Sequence, residues 1–193
     1  MRQGFRLFFT VSFLSAVGSL TCGAKETVKS GPQTGEMIPG PFHVINVNGE
    51  HAGNPHCLVC EYGLDPVVAI FTRERNATLK SLLQKVDAAL ERQRGARLHG
   101  FAVILSDDFA KEESRKKLIK DVTEWATEFK RVVVSIDGPS GPEKYNLNKD
   151  ADLTVLLYRK HKVLANFAFA KDEFKDTDIE MILAAVDKMA AAK

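Results

Sequence analysis

Two cysteines three positions apart, Cys57 and Cys60 in "NPHCLVCEYGLDPVV", are the residues best suited to chemistry in this chain. A Cys-x-x-Cys pair supports three kinds of chemistry. It can cycle between dithiol and disulfide, because the ring it closes is small and its potential can be tuned; the adjacent His56, when protonated, would stabilise a thiolate. It can be a permanent staple, since Gly53, Pro55, Gly63 and Pro66 make the surrounding loop floppy. Bridging so short a loop removes little chain entropy, so a staple here would contribute less than the usual ~2–4 kcal/mol. It can also clip a metal: Cys57 and Cys60 with His51 and His56, and with His43 nearby, offer soft and imidazole ligands suited to Zn or Cu(I). The spacing matches no familiar zinc-finger pattern, and loop surface is the commoner fate of histidines such as His51 and His56. All three readings remain open at this level. A c-type haem is excluded, because Glu61 stands where that motif requires histidine, and no cofactor is expected.

The compartment bears on the choice. The N-terminus has Arg2 and Arg6, an apolar stretch from Leu7 to Val17, and then small residues, which is the pattern of a secretory signal peptide over residues 1–24. Cys22 and Ala24 fit the small-x-small rule for cleavage after Ala24. A second reading makes Cys22 a lipidated first residue, although Ser19-Leu20-Thr21 is a poor lipoprotein signal. The apolar run is shorter than the ~20 residues a span requires, so no transmembrane span is expected in the mature chain. Cleavage removes two cations and takes the formal charge from +2 to about zero. A neutral chain with interspersed charges offers no electrostatic case for nucleic acid. The mature protein would carry Cys57 and Cys60 alone into an oxidising periplasmic or extracellular setting, where a protein thiol or disulfide is the natural partner.

Residues 25–41 are polar and rich in Gly and Pro and read as a flexible linker. Beyond them short apolar runs alternate with helical patterns. Strands are predicted at 42–47, closed by Asn48-Gly49, and at 67–71, 101–105 and 132–136; continuous apolar runs of this kind fit strands buried on both faces. Leu79, Leu82, Leu83, Val86 and Leu90 mark a helix that Asn76 or Thr78 can cap. Leu118, Ile119, Val122, Trp125, Ala126 and Phe129 mark a second. A hairpin is predicted over 153–158 and 163–169, and a final helix carries Ile179, Ile182, Leu183, Val186 and Met189, opened by a Thr177–Glu180 capping box. Right-handed crossovers in such an order give an α/β domain over 42–193, a central mixed sheet with helices on both faces.

That order, with "PFHVINVNGE", "PVVAIFTRE" and "YNLNKDADLTVLLYRKHKV", resembles the thioredoxin-like superfamily, in its peroxiredoxin and periplasmic thiol–disulfide reductase branch, over roughly residues 41–190. The resemblance implies a redox site at the start of the helix after the first core strand, where the helix terminus lowers a thiol's pKa. Here that place reads Arg75-Asn76-Ala77-Thr78-Leu79 and has no cysteine. The family's cis-proline falls at about Leu153, where no cis bond is expected without proline. The usual site is therefore read as vacated, and peroxidase activity as not expected. Cys60 precedes Val67 by only seven positions, which predicts that the pair lies near the pole opposite the usual site unless the loop wraps around. The chain then reads as an exported redox protein using a relocated Cys57–Cys60 pair, or as a non-catalytic binding or structural module in which that pair is a staple. Weaker features are Arg73, Glu74 and Arg75, a candidate anion pocket beside the helix start or simply solvated charges, and the sequon Asn76-Ala77-Thr78.

Overall fold

In the computed structural model, which describes Met1 and residues 28–192, the elements run β1 (Val44–Asn46), β2 (Pro55–His56), α1 (Leu58–Tyr62), β3 (Val67–Thr72), α2 (Ala77–Arg92), β4 (His99–Leu105), α3 (Glu112–Ala126), β5 (Val133–Asp137), β6 (Ala151–Arg159), β7 (Lys162–Ala170) and α4 (Asp176–Ala191). The signal-peptide reading, with Cys22 and Ala24, lies outside the described residues. The seven strands form one sheet in the order β2-β1-β5-β4-β3-β6-β7. β3, β4 and β5 are parallel, whereas β6 and β1 flank them antiparallel. All six residues of β3 are buried, because neighbours occupy both its edges and cover both its faces. That environment is why its sequence is continuously apolar up to Thr72.

Alternation along the strands divides the interior in two. Val68 and Ile70, Ala102 and Ile104, and Val134 and Ile136 face a core completed by Leu82 and Val86 of α2, Val122 and Ala126 of α3, and Ile182 and Val186 of α4. The crossovers β3-α2-β4 and β4-α3-β5 step across the sheet in the same direction, so right-handed connections place both helices on the same face. α2 lies between its neighbours: Lys80 pairs with Glu128 beyond the end of α3 at 2.6 Å, and Lys85 pairs with Glu180 of α4 at 2.5 Å. The opposite face presents Val67, Ala69, Phe71, Phe101, Val103, Leu156 and Tyr158. Its cover is the short α1 together with irregular chain: Ile38, Phe42, Cys57, Leu58, Val59, Tyr62 and Tyr145. Phe42 lies 6.1 Å from both Phe71 and Phe101 and meets Tyr145 edge-on at 5.0 Å, a geometry favoured by ring quadrupoles. Helices thus occupy both faces, but three long ones share one side and a single turn and a half serves the other.

Three local expectations change. The strand predicted over 42–47 is confined to Val44–Asn46, because Phe42 leaves the ladder to enter the second core. The last helix is opened not by Thr177 and Glu180 but by the Asp178 carboxylate, which accepts the backbone N–H of Lys175 at 2.8 Å. Residues 28–41, predicted as linker, are packed against the β6–β7 hairpin. The N–H groups of Gly35 and Ile38 donate to the carbonyls of Val163 and His161 at 2.8 Å, and Val163 N–H returns to Glu36 O at 2.9 Å. Ser30, only 2% exposed, accepts from the Thr154 hydroxyl at 2.7 Å and the Asn148 N–H at 3.0 Å. A polar, Gly-rich segment can pack in this way through backbone hydrogen bonds, which leave no hydropathy signature. Ser30→Ala leaves the buried Thr154 hydroxyl and the half-buried Asn148 N–H without their acceptor and should lower stability by about 1–3 kcal/mol in denaturant unfolding; an unchanged midpoint would return the segment to linker status.

Candidate functional site

The sulfur site is built where β2 hands over to the second core. β1 and β2 pair through Val44–His56 and Ile45–Pro55, while Ile45 pairs with Ile136 of β5. His56 therefore lies beside the C-terminal end of β5. Cys57 follows it and becomes the N-cap of α1, its Sγ accepting the N–H of Cys60 at 3.2 Å. One turn of helix brings the two Cα atoms to 5.3 Å, within the range a disulfide needs, and Cys57 and Cys60 are bonded. Their surroundings differ: Cys57 is 7% exposed within the second core, whereas Cys60 is exposed to solvent. α1 then crosses the sheet face. At its end the ring of Tyr62 stacks on His99, the first residue of β4, with centroids 4.3 Å apart. The chain does return to the far pole, but the pair sits at the beginning of that crossing, on the face opposite α2 and level with the C-terminal end of β5, so the expected placement at the opposite pole is not what the strand register gives.

The histidines adjoin this turn. His51, in the tight loop closed by Gly53 N–H to Asn46 O at 2.7 Å, stacks on His56 at 3.7 Å with planes 15° apart. His56 Nε2 lies 2.7 Å from Glu61 Oε2. No hydrogen bond joins His56 to either sulfur among the described residues. The four-ligand clip predicted from Cys57, Cys60, His51 and His56 is not what forms, because both sulfurs are spent in the disulfide. Instead, single ligand atoms of His51, His56 and Glu61 lie within 4.8 Å of one another. Glu61 is the residue that sequence reasoning passed over. It is separated from His51 by ten positions, and only the hairpin and the helical turn bring them together. His43 is exposed and outside this group.

At the start of α2 the structure gathers the other predicted positions. Asn76 caps the helix, its Oδ1 accepting Leu79 N–H at 2.9 Å. Arg75 and Asn76 are exposed, Thr78 is half-buried, and Leu79 is buried. Leu153 pairs with Thr72 across β3 and β6, and no cis peptide occurs among the described residues. Thr72, Glu74, Asn76, Leu79, Asp152 and Phe174 contribute to a cavity of about 30 Å³ with no sulfur in its lining, enough for a single water. Arg73 does not serve an anion pocket. Its guanidinium donates to the carbonyls of Ala151 and Asn148 at 3.1 and 3.3 Å, and also to that of Pro139, so it ties down the loop before β6.

No model of a protein family matches this sequence, and no curated protein does. Solved structures do match. A protein from Chlorobium tepidum assigned as thiol:disulfide interchange protein DsbE aligns with 86% of this chain and all of its own at 16% identity, with a TM-score of 0.54. A protein from Bacteroides thetaiotaomicron assigned as a protein disulfide isomerase aligns with 86% of this chain and 96% of its own at 13% identity and a TM-score of 0.57. A reduced 2-Cys peroxiredoxin from Plasmodium vivax covers 81% of each chain at 15% identity, with a TM-score of 0.55. This chain has a thioredoxin-like fold. At such identities the likeness establishes the fold alone. The start of α2, where the sequence resemblance led a thiol to be expected, is occupied by Asn76 and its neighbours and carries no cysteine. The cysteines lie across the sheet.

The residues beside the start of α2 also show a cost. Burial pushes the Asp152 carboxyl above its ordinary range, and the negative charge of Glu74 pushes it further, against the pull of Lys171 and Arg73. Its Oδ2 is buried without a hydrogen-bond partner among the described residues. The folded state thus holds the Asp152 proton more tightly than the unfolded chain does, and stability is lost as pH rises through the raised value. Asp152→Asn should raise the melting temperature at pH 7 by about 2 °C or more. The gain should disappear as pH falls below about 3.9, the ordinary aspartate value, where the wild-type side chain is neutral in both states.

Proposed function

We propose that the protein is an exported thiol–disulfide exchange protein of thioredoxin-like fold that works through Cys57–Cys60 on a thiol or disulfide of a protein partner. The observation that carries this reading is the asymmetry of the pair: Cys60 is exposed, whereas Cys57 is buried with its sulfur already accepting a backbone N–H. A partner thiolate has access to Cys60 Sγ. As the new S–S bond forms, the Cys57–Cys60 bond breaks and its electron pair passes to Cys57 Sγ, where the Cys60 N–H meets the negative charge. A second partner thiol, its proton lost to water, attacks the partner's sulfur in the mixed disulfide, and Cys60 leaves as thiolate. The partner is oxidised by two electrons and the pair becomes a dithiol; the reverse sequence reduces a partner. His56, held by Glu61, would act through its charge and not by hydrogen bonding to sulfur. Export rests on the N-terminal sequence. No helix among the described residues is long and apolar enough to cross a membrane.

One observation favours the alternative, a non-catalytic module in which the bridge is a staple: Cys57 fills part of the second core and joins β2 to α1. Alkylation with intact-mass readout across a glutathione–dithiothreitol series distinguishes the two. Exchange function predicts a potential above about −250 mV and faster alkylation of Cys60 than of Cys57 after reduction. A potential below about −300 mV would abandon exchange for the staple. In either case Cys57→Ser should cost less than the usual ~2–4 kcal/mol of a removed disulfide.

A further inference from the structure

We propose that the protein with its disulfide intact binds one zinc ion through His51, His56 and Glu61. These three bring two imidazole nitrogens and one carboxylate oxygen within 4.8 Å of one another. Two histidines and a carboxylate form a ligand set that suits Zn²⁺, which takes nitrogen and oxygen donors in a tetrahedron and leaves the fourth position to water when the protein supplies only three. The His56–Glu61 contact of 2.7 Å and the stacking of His51 on His56 gather the donors in one place. The lone pairs of stacked rings run nearly parallel, so binding requires His51 to tilt out of the stack until both imidazole nitrogens point at the ion, with the ion replacing the His56–Glu61 hydrogen bond. The side chains of His56 and Glu61 are 25% and 42% exposed, so solvent reaches the open position.

Three separate constraints hold the ligands. His51 belongs to the loop closed on Asn46, His56 is fixed by pairing with Val44, and Glu61 is carried on α1. The disulfide spans the interval between the last two: its cysteines are the residue after His56 and the residue before Glu61, and Glu61 N–H donates to Cys57 O at 3.1 Å. The bridge therefore holds Glu61 against His56 without itself supplying a ligand. That arrangement is the opposite of a thiolate clip, in which metal and disulfide exclude each other. The inference needs the bridge only as it stands in the structure and does not rest on thiol exchange.

The test uses the full chain, oxidised, with any free thiol alkylated. Zn²⁺ is titrated against a chromogenic chelator, and Co²⁺ serves as a spectroscopic substitute. The expected result is one equivalent of bound Zn²⁺ and a tetrahedral or five-coordinate Co²⁺ spectrum with no thiolate charge-transfer band. His51→Gln and Glu61→Gln should each weaken binding by at least about tenfold, whereas His43→Gln should leave it unchanged. Circular dichroism confirms folding, and because Glu61 is exposed and His51 only half-buried the variants should retain it. Failure of the oxidised protein to bind one equivalent would overturn the proposal. Equal affinity in the His51 and Glu61 variants would do so too, as would binding that appears only after reduction and brings a thiolate band, which would assign the metal to Cys57 and Cys60.

Discussion

The central strands β3 and β4 are apolar on both faces, and the rest of the molecule follows from the need to cover them. Three helices suffice for one face: two right-handed crossovers in one direction deposit α2 and α3 there, and α4, which follows β7, packs on the same core. The other face has no long helix among the described residues. It is closed by Phe42, by Tyr145 from the loop before β6, and by α1 with the cysteine that caps it. Burying a large apolar side chain contributes about 1.5–3 kcal/mol, so leaving Phe71 and Phe101 open to water would be costly in a fold whose net stability is small. The disulfide is thus part of a lid over a hydrophobic surface as well as a candidate reactive group. That double role explains why its two sulfurs have such different exposure.

The same constraint separates the sulfur from the start of α2. At the start of α2 the helix is closed by Asn76, and the small cavity beside it is lined by hydroxyl, amide, carboxyl and apolar groups. A thiol placed there would meet the helix terminus. The present cysteines instead sit on a short helix, with a backbone N–H on the Cys57 sulfur and His56 next to Cys57 in the chain. Any reactivity they have must be tuned by those groups, because the long helices stand on the far side of the sheet.

Much of the fold was legible in the residues. Val67 to Phe71 and Phe101 to Leu105 announce doubly buried strands by their unbroken apolar character, and the stripe from Leu79 to Leu90 announces an amphipathic helix with Asn76 at its head. What escaped notice has a common cause: the interactions involved leave no periodic trace. Residues 28–41 pack through backbone groups and Ser30, so their polarity misleads. Phe42 reads as part of a strand but leaves it, because two aromatic rings across the sheet offer more burial than the ladder does. Asp178 caps the last helix in place of Thr177 because the exit from β7 decides where the first turn begins, and overlapping capping patterns cannot.

The sequence by itself determined the α/β order, the absence of a thiol at the start of α2, and a Cys-x-x-Cys spacing that one helical turn can close. Each is a local property, set by composition, period and separation along the chain. Only the tertiary structure decided which face of the sheet the pair would cover, which sulfur would meet solvent, and that Glu61 would join His51 and His56 while the cysteines bonded to each other. Those outcomes depend on strand register and crossover handedness, through which residues far apart in the chain become neighbours, and no run of residues carries that information alone.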